Sequence, residues 1–249
     1  MSGHRRITSF TPRGGRIPDR QKRTLERHGD TFIIAGPMDG YTLLEAPNLE
    51  ESFGRSAPLI VEIGAGAGDQ IVAHAAQHPE NNYLAFEVWW PGVASSVSRI
   101  VREGVTNVRL LSADAVLALP LLFGPNPKPR EVWTFFPDPW PKARHHKRRM
   151  VTPDFARIIA DILPPDSVWR LATDWDDYAW QMRDAIAAVS DLVNPHAGER
   201  IDSDDPAEAG IAGGFAPRWE GRIITRFETR GLAEGRRIHD LEVRRAGPA

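Results

Sequence analysis

Three alternating glycines stand where an apolar stretch ends and an alanine-rich stretch begins. The apolar residues 59–63 (LIVEI) lead into Gly64, Gly66 and Gly68 within VEIGAGAGD, a pattern typical of a strand, a tight turn and a helix. Glycines at such a turn let the backbone approach a ligand closely, because side chains would block it. Glu87 ends the next apolar stretch, where a carboxylate can bind two ribose hydroxyls. Together these features favour an adenosine-bearing cofactor over a turn without a ligand.

Two further carboxylates bear on the identity of that cofactor, since both NAD and S-adenosylmethionine contain adenosine. Glu62, inside the glycine motif, would repel a pyrophosphate but suits the cationic ammonium and sulfonium groups of S-adenosylmethionine. Asp114, in SADAV, follows the third predicted strand, where a carboxylate can accept a hydrogen bond from the adenine amine. Either acid can instead be a helix cap or a surface charge, and that alternative stays open.

A carboxylate held between two prolines follows a later apolar stretch, VWTFF. Asp138 lies between Pro137 and Pro139, with Trp140 next, and prolines lower the entropy cost of fixing these side chains. Residues 142–149 (KARHHKRR) contain five Lys or Arg and two His without an acid, a pattern that favours binding to nucleic-acid phosphates. The candidate phosphate ligands are Lys142, Arg144, Lys147, Arg148 and Arg149. A solvated charged surface and ion pairs inside the protein are the alternatives.

His74 and His78 have a spacing that can bind zinc on a helix. The general-base Glu of an HExxH site is missing between them, and no third ligand is evident in the sequence. The chain contains no cysteine, which excludes disulfides, thiolate metal sites and cysteine nucleophiles. We therefore expect no metal, and chemistry based on oxygen, nitrogen or a cofactor.

Alternating strands and helices must position these residues. Strands are predicted at 59–63, Tyr83–Glu87, Val108–Leu111, Glu131–Phe136 and Val168–Thr173, and helices at Val93–Glu103, Pro153–Ile162 and Asp176–Val189. This alternation predicts an α/β fold with a doubly wound, mostly parallel sheet. An acidic surface loop is predicted at 199–216, and two β-like stretches, Ile223–Thr229 and Ile238–Arg244, predict a closing antiparallel hairpin.

Composition sets the broad class. The 249 residues are 41% hydrophobic and 26% charged, which is ordinary globular usage and excludes collagen-like, coiled-coil and disordered chains. Residues 1–30 carry eight Lys or Arg against three acids, with several Pro and Gly, and predict a flexible basic arm before a single domain at 31–249. The longest nearly apolar run, 116–123, is far short of the ~20 residues needed to span a bilayer. We expect a cytoplasmic protein without a membrane partner.

The motifs, in their order and spacing, closely resemble the bacterial tRNA (guanine-N7)-methyltransferase family. The matching stretches are VEIGAGAGD, FEVWWPGV, FFPDPWPKARHHKRR, LATDWDDYA and TRFETRG, with a weaker match at TSFTPRGGR. Many methyltransferases share the glycine turn, whereas FPDPWPK with RHHKRR and the distal motifs are specific in combination. The resemblance implies a Rossmann-like class I methyltransferase fold and transfer of a methyl group from S-adenosylmethionine to N7 of guanine 46 in the tRNA variable loop.

The resemblance also implies roles for individual residues. Glu62, Glu87, Asp114 and Asp138 would bind the cofactor beside Gly64, Gly66 and Gly68. Asp138 would in addition lie at the reaction centre as the catalytic residue. Lys142, Asp174, Thr225, Arg226, Phe227 and Glu228 would contact the tRNA substrate together with Arg144, Arg148 and Arg149 of the basic run. No obligate protein partner is implied.

The chemistry of the implied reaction needs little from the protein beyond alignment and charge. Guanine N7 carries an in-plane lone pair and no proton at neutral pH, so it attacks a sulfonium methyl without a general base. Asp138 or Asp174 would stabilise the cationic product, and which of them also selects guanine stays open. An RNA or DNA amino-methyltransferase, an NAD-dependent oxidoreductase and a non-catalytic RNA-binding protein are the alternatives.

Overall fold

The computed structural model describes residues 7–11, 14–126, 128–198 and 204–247. The strands of these residues are β1 (Met38–Asp39), β2 (Thr42–Leu43), β3 (Leu59–Ile63), β4 (Asn82–Phe86), β5 (Val108–Leu111), β6 (Glu131–Phe135), β7 (Val168–Thr173), β8 (Leu192–Val193) and β9 (His239–Arg245). The α-helices are α1 (Asp19–Phe32), α2 (Leu49–Phe53), α3 (Asp69–Gln77), α4 (Trp90–Glu103), α5 (Ala115–Leu122), α6 (Pro153–Ile162), α7 (Asp176–Ala187), α8 (Pro206–Ala209) and α9 (Arg226–Ala233). Short 3-10 helices cover Ala143–Arg148 and Gly210–Gly213.

Seven of these strands form one sheet in the order β5-β4-β3-β6-β7-β9-β8. The five strands from β5 to β7 are parallel to one another, and β9 runs antiparallel to both β7 and β8. Strands β1 and β2 form a separate antiparallel pair. The predicted doubly wound, mostly parallel α/β sheet with an antiparallel end is thus confirmed.

Helices cover both faces of the sheet, which explains why its central strands are continuous apolar runs. Every residue of β3 is buried, and side chains along it alternate between the two faces. Val61 packs in a core with residues of α5, α6 and α7, such as Phe155, whereas Ile60 packs in a second core with residues of α3 and α4, such as Ile71 and Val97. The sheet is therefore held rigidly between two layers.

The strand order reverses between β3 and β6. The chain winds from β3 outward to β5 on one side, and from β6 outward to β7 on the other. In sheets of this kind ligands bind in the crevice beyond the carboxyl ends of the strands at such a switch point. The glycine turn follows β3 and the Asp138 turn follows β6, so both lie at this crevice.

The strand predicted at Ile223–Thr229 is wrong. Residues 226–233 form α9, and the oxygen of the Thr225 side chain accepts a hydrogen bond from the backbone N–H of Glu228 (3.4 Å), a pattern that begins helices. The antiparallel end of the sheet comes instead from β9, close to the predicted Ile238–Arg244, and from β8. The predicted loop at 199–216 contains α8 and a 3-10 turn within its described residues, 204–216.

The predicted arm at residues 1–30 contains more fixed structure than the sequence suggests. Its last third forms most of α1, which packs along α4 and contributes Phe32 to the core. Residues 1–6 and 12–13 lie outside the described part of the chain. The division into an arm and a single domain stays a prediction. No helix among the described residues combines the length and apolarity needed to cross a membrane.

Candidate active site

A cavity of about 480 Å³ opens at the switch point of the sheet. Its walls come from the segments that follow β3, β4, β5 and β6, from residues 9–11, and from residues 225–227. The predicted site residues that line it are Glu62, Gly64, Gly66, Glu87, Asp114, Asp138, Thr225, Arg226 and Phe227. The structure thus brings together most of the predicted cofactor-binding residues and three of the predicted substrate-binding residues.

The remaining predicted residues lie outside the cavity lining. They are Gly68, Lys142, Arg144, Arg148, Arg149, Asp174 and Glu228. Gly68 is the residue before α3, and Lys142 and Arg144 are exposed at the start of the 3-10 helix that carries the basic run. The side chains of the other four form hydrogen bonds within the protein: Arg148, Arg149, Asp174 and Glu228.

The glycine turn depends on a backbone conformation that other residues rarely adopt. Gly64, Gly66 and Gly68 have φ angles of 79°, 57° and 74°. Glu87, which directly follows β4, binds the glycine turn. Its carboxylate accepts hydrogen bonds from the backbone N–H groups of Gly66 (2.6 Å) and Trp89 (2.7 Å). Burial raises the pKa of Glu87, while these backbone hydrogen bonds oppose that rise. Glu87 therefore shapes the turn as well as lining the cavity.

Glu62 is a buried carboxyl group at the floor of the cavity. Only 4% of the residue is exposed, and its Oε2 has no hydrogen-bond partner within the described residues. Burial, reinforced by the nearby charges of Asp69 and Glu87, raises the pKa of Glu62 to about 8. A cation in the cavity would stabilise this carboxyl group, because it would pair with the carboxylate and favour the ionised form.

Asp114 is both a helix cap and a residue of the cavity wall. It is the N-cap of α5, where its Oδ1 accepts a hydrogen bond from the backbone N–H of Val116 (3.1 Å). It also lines the cavity, and its own backbone N–H donates to the carbonyl of Tyr41 (2.8 Å). The cap therefore fixes a buried carboxylate at the wall of the cavity.

Asp138 lies in a strained turn. The residues on either side of the Pro-Asp-Pro segment, Phe136 and Trp140, have φ angles of 51° and 45°, a region that bulky side chains rarely adopt. Each such residue costs about 1–3 kcal/mol and persists only where its surroundings hold it. The backbone N–H of Phe136 donates to the carbonyl of Ala172 (2.8 Å), and the Arg222 guanidinium lies 5.5 Å from the centre of the Phe136 ring. The fold thus holds Asp138 at the cavity wall.

Arg148 joins the basic run to the N-terminal residues. Its guanidinium lies 3.7 Å from the centre of the Trp140 indole and donates to the carbonyls of Thr8 (3.1 Å) and Phe10 (2.6 Å). The Trp140 Nε1 donates to the carbonyl of Ser9 (2.9 Å). Arg148 therefore holds residues 8–10 against the Asp138 turn, next to the cavity, in addition to its predicted role as a phosphate ligand.

Arg149 is buried, unlike the neighbouring cations of the basic run. Its side chain donates to the Asp177 carboxylate (2.6 Å), the Gln181 amide oxygen (2.9 Å) and the Pro139 carbonyl (2.8 Å). The guanidinium also lies 4.8 Å from the centre of the Tyr178 ring. With 3% of the residue exposed, it is not available to a phosphate, so the sequence-based assignment of Arg149 as a substrate ligand is corrected to a structural ion pair.

Asp174 and Glu228 are also bonded inside the protein. The Asp174 carboxylate accepts a hydrogen bond from Arg236 (2.7 Å). Glu228, 2% exposed, accepts from Arg222 (2.6 Å), which also binds both oxygens of Asp240 (2.9 and 3.0 Å). Neither carboxylate lines the cavity, so Asp138 is a lining residue whereas Asp174 is not.

Sequence reasoning missed three contributors to the cavity. Arg222 lines it. The Gln70 side chain also lines it and binds the backbone on either side of Arg222, donating to the Gly221 carbonyl (2.8 Å) and accepting from the N–H of Ile223 (2.7 Å). Residues 9–11 line the opposite wall. Only the N-terminal segment had a signal, the weak match at TSFTPRGGR, because the other contacts join residues far apart in the chain.

The rings of His74, on α3, and His78, the residue that ends this helix, lie close together, with centres 4.3 Å apart and planes tilted by 31°. The Nδ1 of His74 is hydrogen-bonded to the Tyr83 hydroxyl (2.9 Å), and burial lowers the pKa of His74 to about 4. Among the described residues, no group of three or more His, Cys, Asp or Glu side chains is arranged to hold a metal ion. The expectation that the protein uses no metal stays a prediction.

The cavity fits S-adenosylmethionine better than a pyrophosphate cofactor. The unpartnered Oε2 of Glu62 offers an acceptor for a cationic group, and a pyrophosphate placed there would face a carboxyl group in place of a cation. A Cβ added to Gly64 would meet no atom within 4 Å, so the glycine turn faces open space at this residue. Asp114 and Glu87 lie at the ends of adjacent strands, where adenosine-binding acids are expected.

Comparisons with known proteins agree with this geometry. A family model described as "Putative methyltransferase" matches residues 56–241. Two solved structures share the fold at a TM-score of 0.51. The 16S rRNA methyltransferase KamB is 17% identical and aligns with 84% of this chain and 98% of its own. A 16S rRNA (adenine(1408)-N(1))-methyltransferase from Catenulisporales acidiphilia, solved with its cosubstrate SAM, is 16% identical and aligns with 85% of this chain and 96% of its own.

Sequence relatives are much more similar. The tRNA (guanine-N(7)-)-methyltransferase of Cutibacterium acnes is 44% identical over 245 residues, which cover 97% of this chain and 84% of the relative. The enzyme of the same name from Nocardioides sp. is 43% identical over 248 residues, covering 98% and 90%. The chain belongs to the tRNA (guanine-N7)-methyltransferase family of methyltransferases, and its sheet has the class I methyltransferase fold.

Proposed function

We propose that this enzyme transfers the methyl group of S-adenosylmethionine to N7 of guanine 46 in the variable loop of tRNA. The observation that carries the proposal is the buried, unpartnered Oε2 of Glu62 in a cavity that Asp138 also lines. One carboxyl group is suited to a cationic cofactor, and the other is suited to a base that becomes cationic on methylation. The position in the tRNA follows from the resemblance of the motifs to the family.

The cofactor would be held mainly by residues at the ends of β3, β4 and β5. When bound, S-adenosylmethionine supplies an electrophilic methyl group carried by a sulfonium. Glu62 would pair with a cationic group, Glu87 would accept from the ribose, and Asp114 would accept from the adenine amine. Since Glu87 already binds two backbone N–H groups, its ribose contacts would use the remaining lone pairs of the same oxygens.

The target base would approach between the Asp138 turn and residues 225–227. Guanine N7 needs no base to become a nucleophile, so the protein's contribution is to align it and to stabilise charge. Asp138 would stabilise the cationic product and can accept hydrogen bonds from the guanine N1–H and 2-amino groups. The Phe227 ring, 51% exposed and part of the cavity wall, offers an apolar face to the base.

The phosphate contacts would come from the exposed part of the basic run. Lys142, Arg144 and Lys147 are exposed beside the Asp138 turn, whereas Arg149 is buried. Their contribution to affinity should fall as salt rises, because phosphate contacts release counterions. Asp174 would contribute to tRNA binding only indirectly, through its hydrogen bond with Arg236.

The direct test is methylation of an unmodified tRNA transcript with labelled S-adenosylmethionine, followed by nucleoside analysis. The proposal expects 7-methylguanosine from the transcript and none from a matched transcript with adenine at position 46. Label recovered as 7-methylguanosine from both transcripts would show that the enzyme methylates a guanine at another position of the tRNA. Label in an exocyclic amine would support the amino-methyltransferase alternative.

A further inference from the structure

A row of three arginines follows the outer face of α1. Arg20, Arg23 and Arg27 are spaced i, i+3 and i+7, so their side chains project from one face over about 10 Å of helix. All three residues are exposed, and none of their guanidinium groups has an ion pair or hydrogen bond within the described residues. We call them the α1 arginine row.

The other face of α1 packs against the protein. Leu25 and Phe32 contact the apolar core, and the Gln21 side chain donates to the Ser95 hydroxyl on α4 (3.1 Å). The orientation of the helix is therefore fixed, and the row is displayed on a rigid surface. This arrangement differs from that of Arg149 and Arg222, whose guanidinium groups are buried against carboxylates.

The row begins close to the mouth of the cavity. Gly14 lines the cavity, and a Cβ added to Gly15 would lie 2.7 Å from the Pro91 side chain and 3.2 Å from the Nε1 of Trp89, itself a lining residue. Helix α1 starts at Asp19, four residues after Gly15. The first arginine of the row is thus near the point where the chain leaves the cavity wall.

The basic run meets the same N-terminal segment at its other end. Arg148 donates to the carbonyls of Thr8 and Phe10, and residues 9–11 line the cavity before the chain continues to Gly14. The basic run at 142–148 therefore contacts the N-terminal segment at residues 8–10, and the α1 arginine row follows the same segment after Gly14 and Gly15 at the cavity wall. The chain as a whole has a net charge of −2, whereas residues 1–30 carry eight Lys or Arg against three acids, so positive charge is enriched in this segment.

We propose that the α1 arginine row is a second phosphate-binding surface for tRNA, separate from the basic run. This inference rests on the proposed function, since it needs a tRNA whose target base occupies the cavity. A polyanion held there extends beyond the target nucleotide in both directions, and unpaired guanidinium groups on a fixed helix face match its phosphates. The basic run would then bind phosphates on one side of the target base, and the row would bind them on the other.

The test replaces Arg20, Arg23 and Arg27 together with alanine and measures tRNA affinity over a range of salt concentrations. We expect the Kd for tRNA to rise at least about tenfold at low salt, and the slope of log affinity against log salt to become shallower by about 2, because each lost phosphate contact removes about 0.7–0.9 from the slope. Affinity for S-adenosylmethionine should not change, since none of the three residues lines the cavity. Replacing all three with glutamine gives a second variant that retains high helix propensity.

The matched control removes the same charge elsewhere, by replacing Lys128, Arg157 and Arg244 with alanine. These residues are exposed, and two of them lie near the edge of the sheet opposite the cavity, before β6 and at the end of β9. An unchanged Kd and salt slope in the arginine-row variants, or an equal loss in the control, would overturn the inference. A wild-type enzyme that neither binds nor methylates tRNA would instead overturn the proposed function.

Discussion

Replacing Glu62 with glutamine should change how the stability of the protein depends on pH. The wild-type carboxyl group has a pKa of about 8 in the native state because it is buried near Asp69 and Glu87, whereas a Glu in the unfolded chain has a pKa near 4.5. Between these values the native state binds a proton that the unfolded state has lost. The free energy of unfolding therefore falls as pH rises through this window.

The magnitude follows from the difference between the two pKa values. It corresponds to about 5 kcal/mol of unfolding free energy in total, fully present below pH 4.5 and lost by about pH 9, and about 4 kcal/mol of this loss falls between pH 5 and pH 9. Glutamine does not titrate, so Glu62→Gln should lack this component and gain stability relative to wild type as pH rises. Urea denaturation across pH 5–9 measures the effect. Glu45→Gln, which removes an exposed carboxylate, is the control and should follow the wild-type curve.

Cofactor binding gives a second readout of the same residue. A cation beside Glu62 would lower its pKa, so binding of S-adenosylmethionine at pH 7 should release about 0.9 proton from this group. Calorimetry in buffers with different ionisation enthalpies measures that release, and Glu62→Gln should both bind more weakly and lose it. A pH-independent difference in stability between the two proteins, together with no proton release by wild type, would refute the reasoning about Glu62.

Four further substitutions test other parts of the site. Asp138→Asn should lower the single-turnover rate by around 10²–10³ while tRNA affinity changes little, because the amide loses the charge beside a developing cation; a near-normal rate would make Asp138 structural. Arg149→Ala should lower the free energy of unfolding by about 2 kcal/mol, measured by urea denaturation, since it removes a buried guanidinium that donates hydrogen bonds to Asp177, Gln181 and Pro139. Arg144→Ala should leave stability unchanged and weaken tRNA binding. Phe227→Ala should raise KM for tRNA without changing affinity for S-adenosylmethionine, and equal losses in both would assign the ring to the cofactor.

Much of the site could be predicted because parallel strands bring their carboxyl ends to one edge. The apolar run before Gly64 identified β3, and the acids that follow later strands, Glu87, Asp114 and Asp138, had to meet at that edge. Their detailed roles could not be predicted. The capping by Asp114 and the anchoring of the glycine turn by Glu87 depend on backbone geometry that single residue types do not specify.

The basic run shows where sequence reasoning reaches its limit. Arg148 and Arg149 are adjacent and identical in type, yet the first joins residues 8–10 and the second is buried against α7. The 3-10 helix ends at Arg148, and charge patterning carries no information about which of the two guanidinium groups the fold buries. The stretch Ile223–Thr229 is β-like in sequence, but Thr225 caps a helix in the Thr-x-x-Glu pattern and α9 begins after it.

The most direct test of the central claim uses a tRNA with 7-deazaguanine at position 46. The substitution replaces N7 with a carbon but keeps O6, N1 and the 2-amino group, so contacts with Asp138 remain possible and binding should survive. Methyl transfer to this tRNA should vanish, because the lone pair that attacks the sulfonium methyl no longer exists. Persistent methylation at the substituted nucleotide would contradict N7 chemistry.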